Sequence, residues 1–163
     1  MRIARLLSAS IFTLALQAAS AADLPTQLRI EHSIRISHQF ITISFADSNG
    51  AVSAAVKTRE RYIDGIEKTY TLTQSQALKL RQLFSRLDLR DLRESRHDPE
   101  QPGTDGENWV LSYQNSAGEN ETIKMWSPSV EMEERRLTDY VALFRFALDA
   151  LGFDPDTTLP RSP

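Results

Sequence analysis

The sequence predicts an α+β domain: an antiparallel sheet of about five to six strands with two helices packed on one face, in the order β-β-β-β-α-β-β-α. Several short segments alternate apolar and polar residues with period two, and turn signals separate them. Two longer segments have apolar residues at helical spacing. Strands linked by hairpins favour antiparallel pairing, and two helices with one apolar face each form a single layer on the sheet.

Four strands are predicted before the first helix. Apolar residues at even positions form the first strand and those at odd positions form the second: Leu28, Ile30, Ile34, Ile36, Ile41, Ile43 and Phe45. The change of phase requires a turn or bulge near residues 37–39. Asn49-Gly50 predicts a hairpin turn before a strand at residues 52–56, and Asp64-Gly65 predicts another turn before a strand at residues 66–72.

Both helices are predicted from their first residues. Thr73 and Gln76 have the spacing of a capping box. The helix that follows has an apolar face and ends near residues 88–92: Ala77, Leu80, Leu83, Phe84 and Leu87. Ser127-Pro128 predicts the start of the second helix, which Gly152 ends. Its apolar stripe is longer: Leu137, Tyr140, Val141, Phe144, Leu148 and Leu151.

Between the helices, the sequence predicts a loop and a hairpin. Residues 95–107 are rich in proline, glycine and polar residues, which favours a loop. Strands at residues 109–113 and 123–125 follow, joined by the polar segment 115–120.

The N-terminus is typical of a secretory signal peptide. Arg2 and Arg5 precede an apolar run too short to span a membrane, and small residues end at Ala21. The sequence therefore predicts cleavage near Ala21, a single domain at residues 22–155 and a flexible tail at residues 156–163. Since the chain contains no cysteine, it has no lipid-attachment residue, no disulfide and no cysteine-type metal site.

The charge of the chain excludes general affinity for nucleic acid or anionic membranes. The net charge is −3, and it becomes −5 when cleavage removes Arg2 and Arg5. Both kinds of ligand require a basic surface. The sequence also contains no nucleophile elbow, zinc-protease motif or phosphate-binding glycine loop, and it indicates no cofactor.

The loop at residues 97–107 concentrates acidic side chains. Asp98, Glu100, Asp105 and Glu107 are candidate ligands for a hard cation such as calcium. Their spacing does not match an EF-hand, so a solvated acidic loop is the favoured interpretation. The alternative is a hydrolase or metal-dependent enzyme built around His97, Asp98 and Asp105.

Two further groups of residues are candidate interaction surfaces. Trp109, Tyr113 and Trp126 form an aromatic platform if they are exposed, or part of the core if they are buried, and the core is favoured. The other group is a basic stripe: Arg86, Arg90 and Arg93. It binds an acidic partner or a phosphate, or it pairs with the interleaved acidic residues of the same segment, which is the favoured interpretation.

One set of residues resembles small exported bacterial domains of unknown function. It comprises Asp105-Gly106, Trp109-Val110-Leu111, Gly118 and Trp126-Ser127-Pro128, preceded by the helix that follows Leu72-Thr73. The resemblance covers about residues 66–152. It implies a secreted α+β domain and carries no activity.

These observations predict a soluble, non-enzymatic interaction domain of the bacterial periplasm whose partner is another protein. An immunity or inhibitor protein that blocks a toxic enzyme is one concrete form. The alternatives are a small periplasmic hydrolase or metal-dependent enzyme that uses the 97–107 loop, and a structural component of the cell envelope.

Overall fold

The computed structural model describes residues 24–25, 27–34, 38–61, 63–94, 106–115 and 117–156. The signal peptide predicted at residues 1–21 and most of the predicted tail lie outside these residues. The predicted α+β class is confirmed, because six antiparallel strands form one sheet in the order β4-β3-β2-β1-β5-β6. The elements are β1 (Leu28–Ile34), β2 (Gln39–Ser48), β3 (Ala51–Glu60), β4 (Ile63–Thr71), α1 (Gln74–Ser85), α2 (Leu89–Glu94), β5 (Glu107–Gln114), β6 (Asn120–Trp126) and α3 (Thr138–Ala150).

The core lies between one face of the sheet and the helices. Strand β1 is central, and it pairs with β2 on one side and with β5 on the other. Side chains that alternate along the strands pack against buried residues of α1 and α3, including Leu80 and Phe144. No helix among the described residues is long and apolar enough to span a membrane.

The other face of the sheet, called here the open face, has no described helix packed on it. Its side chains are the alternating residues that point away from the core, and many are small or hydroxylated. They include Thr42, Ser44, Ala46, Ser53, Ala55, Thr69, Ser112 and Thr122. A sheet with one packed and one free face explains the clean alternation of the sequence.

The first helix begins where it was predicted. Thr73 Oγ1 accepts a hydrogen bond from Gln76 N, and the Gln76 side chain accepts one from Thr73 N, so the capping box is complete. Helix α1 ends at Ser85 instead of near residue 88, and the short helix α2 follows it.

The start predicted for the second helix is wrong. Ser127-Pro128 does not begin a helix, because Ser127 has φ of 40° and residues 128–136 form turns. Helix α3 begins only at Thr138, after Leu137, which has no side-chain cap. The predicted apolar stripe from Leu137 to Leu151 is nonetheless buried, since its spacing depends on the helix and not on the cap.

The turn predicted at Asp64-Gly65 is also misplaced. Strand β3 ends at Glu60 and β4 begins at Ile63, so the chain reverses before Asp64, and Gly65 lies inside β4. There Gly65 and Ile66 face the single residue Thr58, which makes a β-bulge. A Cβ on Gly65 would lie 2.4 Å from Thr58 Oγ1, and this hydroxyl accepts a hydrogen bond from Ile66 N at 2.8 Å. Glycine at residue 65 therefore leaves room for the Thr58 hydroxyl at the bulge.

Candidate functional site

The two ends of the sheet differ in backbone conformation. One end, called here the hairpin end, carries the Asn49-Gly50 turn and the loop between β5 and β6. The other, called here the irregular end, carries His38, Arg61, Gly106 and the segment 127–137. Among the described residues, five of the six non-glycine residues with positive φ lie at the irregular end: His38, Arg61, Ser127, Glu131 and Arg136. Such conformations cost stability and concentrate at functional sites, so this end is the candidate site.

A buried polar cluster lies on the core side of the irregular end. The register of β1 and β5 places His32 opposite Trp109, and Ile34 opposite Glu107. His32 Nε2 donates to Glu107 Oε2 at 2.7 Å, and Trp109 Nε1 donates to the same oxygen at 2.6 Å. The rings of His32 and Trp109 meet edge to face. Two residues that are 75 positions apart therefore form one hydrogen-bonded unit.

The electrostatics of this cluster favour an ionised carboxylate. Burial alone would raise the pKa of Glu107, but hydrogen bonds from His32 and Trp109, with the charges of His32 and Arg145, hold that pKa below its ordinary value. His32 Nδ1 is buried and has no hydrogen-bond partner among the described residues.

The burial of this cluster suits a structural role in the core and not a catalytic role. A general base must reach its substrate, and the His32 side chain is fully buried. Within the described parts of the chain, no group of three histidine, aspartate or glutamate side chains could hold a metal ion. The geometry assigns this cluster a positioning role, in which it joins β1 to the start of β5.

A second cluster lies on the open face of the same end and is called here the basic groove. It is lined by His38, Phe40, Arg59 and Arg61 and has a volume of about 430 Å³. Phe40 and Arg59 are direct cross-strand neighbours, and the Phe40 ring is 45% exposed. Arg61 N donates to His38 O at 2.8 Å, so the turns of the two hairpins are joined.

The remaining part of the irregular end is held by Arg135. Its buried guanidinium donates to the carbonyl oxygens of Trp126, Ser127 and Val130, at 2.7 to 2.9 Å. Ser127 N in turn donates to Glu107 O at 2.8 Å. The segment that replaces the predicted helix start is thus fixed by hydrogen bonds to its own backbone.

The aromatic residues predicted as a candidate platform do not lie together on the surface. Trp109 and Tyr113 are 1% and 5% exposed, so the platform interpretation is wrong for both and the core interpretation is correct. Trp109 stacks on Phe144, and the Tyr140 hydroxyl donates to the Trp109 carbonyl. Trp126 is half-buried and points to the opposite face, because it is one residue out of phase with Met125.

The basic stripe is only partly free. Arg86 is exposed at the C-cap of α1, whereas Arg93 forms an ion pair of 2.6 Å with Glu121. That hydrogen bond lowers the pKa of Glu121. Arg90 is exposed on α2 and has a partner as well. Arg93 does pair with a carboxylate, but this partner, Glu121, lies on β6 and not in the segment for which the pairing was predicted.

Most of the acidic loop lies outside the described residues. This applies to His97, Asp98, Glu100 and Asp105. Glu107 was predicted to be in the loop, but it is the first residue of β5 and its carboxylate is engaged by His32 and Trp109.

The sequence reasoning missed the basic groove and the His32–Glu107 pair. The pair depends on strand order, which no local pattern reveals. The groove had one local signal: Arg61 stands where a two-residue hairpin normally has asparagine or glycine.

Comparison with known proteins adds no relative: no family model, curated protein or solved structure matches this chain.

Proposed function

We propose that this chain is an exported, non-enzymatic interaction domain that contacts another protein through its open face. The observation that supports this proposal is the composition of that face. Small side chains such as Ser44 and Ala55 alternate with charged pairs on this face, and an exposed phenylalanine lies beside two arginines at one end. Aromatic residues and arginine are enriched in protein interfaces.

In its most concrete form, the protein is an immunity or inhibitor protein. A rigid sheet with helices on one side presents the free face without rearrangement, which keeps the entropic cost of binding low. The partner is then an enzyme whose activity falls when this protein is added in equimolar amount.

Site-specific photo-crosslinking tests the proposal. A benzoylphenylalanine placed at Ser44 on the open face should give one discrete protein adduct in the cells that produce the protein. The same group at Lys79, exposed on α1, is the matched control and should give none. Equal adducts from both positions, or no adduct from Ser44, would contradict the proposal.

The alternative is a small hydrolase or metal-dependent enzyme that uses the 97–107 loop, and the one loop carboxylate that the structure describes, Glu107, is already engaged by His32 and Trp109. Calcium and zinc titrations with a thermal readout test it. A metal-dependent rise in Tm that Asp105→Ala abolishes would favour the enzyme, as would turnover in a panel of ester and peptide substrates.

A further inference from the structure

We propose that the basic groove binds an acidic segment of the protein partner, with carboxylates paired to Arg59 and Arg61 and an apolar side chain packed on Phe40. This inference rests on the proposed function and specifies the chemistry of the partner. It concerns residues that the sequence patterns did not single out.

The charges of the groove are available for a ligand. Two other cations of the open face are neutralised within the fold, since Arg29 pairs with Glu31 at 2.9 Å and Lys57 with Glu67 at 2.6 Å. By contrast, neither Arg59 nor Arg61 forms an ion pair within the described residues, and both are exposed. Asp64 lies opposite Arg59 in the strand register, yet no ion pair joins them. Two free guanidinium groups favour carboxylates, which they bind through paired hydrogen bonds.

The backbone places these side chains against local preference. Arg61 has φ of 54° in a two-residue connection, where the hairpin at the other end of the sheet has asparagine and glycine. The bulge at Gly65 lies between the Lys57–Glu67 and Arg59–Asp64 pairs, so it sets how β3 and β4 meet at the groove. A strained, bulky, charged residue at a turn is expected where its side chain has a use.

The size of the groove and the charge of the chain favour a peptide. About 430 Å³ holds two or three side chains. An exposed ring beside the cations suits a ligand that carries apolar groups beside its acids. Anionic membranes are bound by clusters of about four to eight basic residues, and nucleic acids by several phosphate contacts. A chain with a net charge of −3 and two free arginines at one site matches neither.

The probe is a capped ten-residue peptide of alternating glutamate and leucine, titrated into the isotope-labelled protein purified from cells that export it. We expect amide shifts at His38, Phe40, Arg59 and Arg61, and weaker binding at higher salt. The double variant Arg59→Gln with Arg61→Gln should bind at least tenfold more weakly. Arg86→Gln, which removes an exposed arginine elsewhere, should bind as the wild type does.

A charge-reversed variant distinguishes loss of binding from loss of folding, because only a folded variant can gain affinity for a peptide of opposite charge. The double variant Arg59→Glu with Arg61→Glu should lose the acidic peptide and gain a matched peptide with lysine in place of glutamate. Equal binding to the wild type and the glutamine variant would overturn the proposal. So would saturation by inorganic phosphate at the same affinity, or binding of phosphatidylglycerol vesicles with no binding of the peptide.

The failures of the two proposals are distinguishable. If the peptide does not bind but the crosslink from Ser44 persists, the acidic-segment proposal fails and the proposed function stands. If the crosslink is absent as well, both fail.

Discussion

The two ends of the sheet solve the same problem, reversal of the chain, in different ways. At the hairpin end the turns use residues that accept positive φ: Asn49 at 51°, Gly50 at 82° and Gly118 at 82°. The Asn115 side chain also accepts hydrogen bonds from Ala117 N and Glu119 N. At the irregular end His38, Arg61 and Ser127 occupy the same backbone region without such help. The turn residues of the first end therefore suit their backbone conformation locally, whereas those of the second end occupy it against local preference.

This difference separates turns that suit their backbone conformation from turns that do not. The hairpin end combines turn residues suited to their backbone conformation with one long-range contact, in which Arg81 of α1 donates to Asp47 Oδ2 and Gly50 O. The irregular end contains the buried Arg135 and Gly106 and the half-buried Glu107, each with close contacts to neighbouring segments. The following substitutions test these features, from the largest expected effect to the smallest.

Loss of Arg135 should have the largest effect. Arg135→Met keeps an unbranched side chain of similar bulk near the backbone but removes the hydrogen bonds to three carbonyl oxygens, those of residues 126, 127 and 130. Because a hydrogen bond to a charged group contributes about 1.5–3 kcal/mol, we expect unfolding to be easier by about 3 kcal/mol or more. Urea denaturation measures this. Arg86→Met, at an exposed position, should change stability by less than about 0.5 kcal/mol, and an equal loss would contradict the assignment.

Alanine at Gly106 should cost more than alanine at Gly118. A Cβ on Gly106 would lie 2.3 Å from Trp126 Cζ2 and 2.4 Å from Ser127 Oγ, so the indole must move, at about 1–3 kcal/mol. Gly118 has open space around it, and its alanine variant bears only the strain of φ 82°, about 1 kcal/mol. Thermal denaturation gives the ranking. Tryptophan emission should change for Gly106→Ala only, and a change in both variants would argue against the packing explanation.

Glu107 should make stability depend on acid pH. Its pKa in the folded state is lowered from the ordinary 4.5, so its contribution is complete above that value and is lost as the pH falls through the folded pKa. Glu107→Gln should therefore cost about 1–2 kcal/mol at pH 7, and the difference from the wild type should shrink below pH 4. Urea denaturation at a series of pH values tests this. Trp109→Phe removes one donor and should weaken the pH dependence in part; a constant difference at all pH values would be inconsistent with the pair.

The fold was predictable because its signals are local. Alternation placed the strands, and the threonine at residue 73 with the glutamine at residue 76 marked the start of α1. The Asn-Gly signal found the hairpin between β2 and β3. The wrong predictions share one physical cause: residues typical of one local structure also occur in another. Gly65 serves a bulge instead of a turn, and Ser127-Pro128 serves a strained connection instead of a helix cap.

The candidate site was less predictable, because its residues meet only in the folded chain. His32 and Glu107 lie on strands whose adjacency depends on the sheet order, so no local pattern pairs them. The groove joins the turns after β1 and β3, which are separated by a full hairpin. Arginine is an unusual residue for the turn position that Arg61 occupies, but the sequence reveals this only when the turn is assigned to the correct residues.

Exchanging the turn residues of the two ends should have the smallest effect on stability. Arg61→Asn places a residue that tolerates φ of 54° and should stabilise the fold by about 0.5–1 kcal/mol. Asn49→Arg, the reverse exchange at the hairpin end, should destabilise the fold by a similar amount, because it places an arginine at φ of 51°, which arginine tolerates less well than asparagine. If the strained arginine is kept for binding, Arg61→Asn gains stability and loses affinity for the acidic peptide, while Asn49→Arg loses stability and keeps it. If Arg61→Asn raises stability and lowers affinity for the peptide, the turn at Arg61 is suited to a partner and not to folding. If Arg61→Asn leaves the affinity unchanged, as Asn49→Arg does, the arginine has no role in binding.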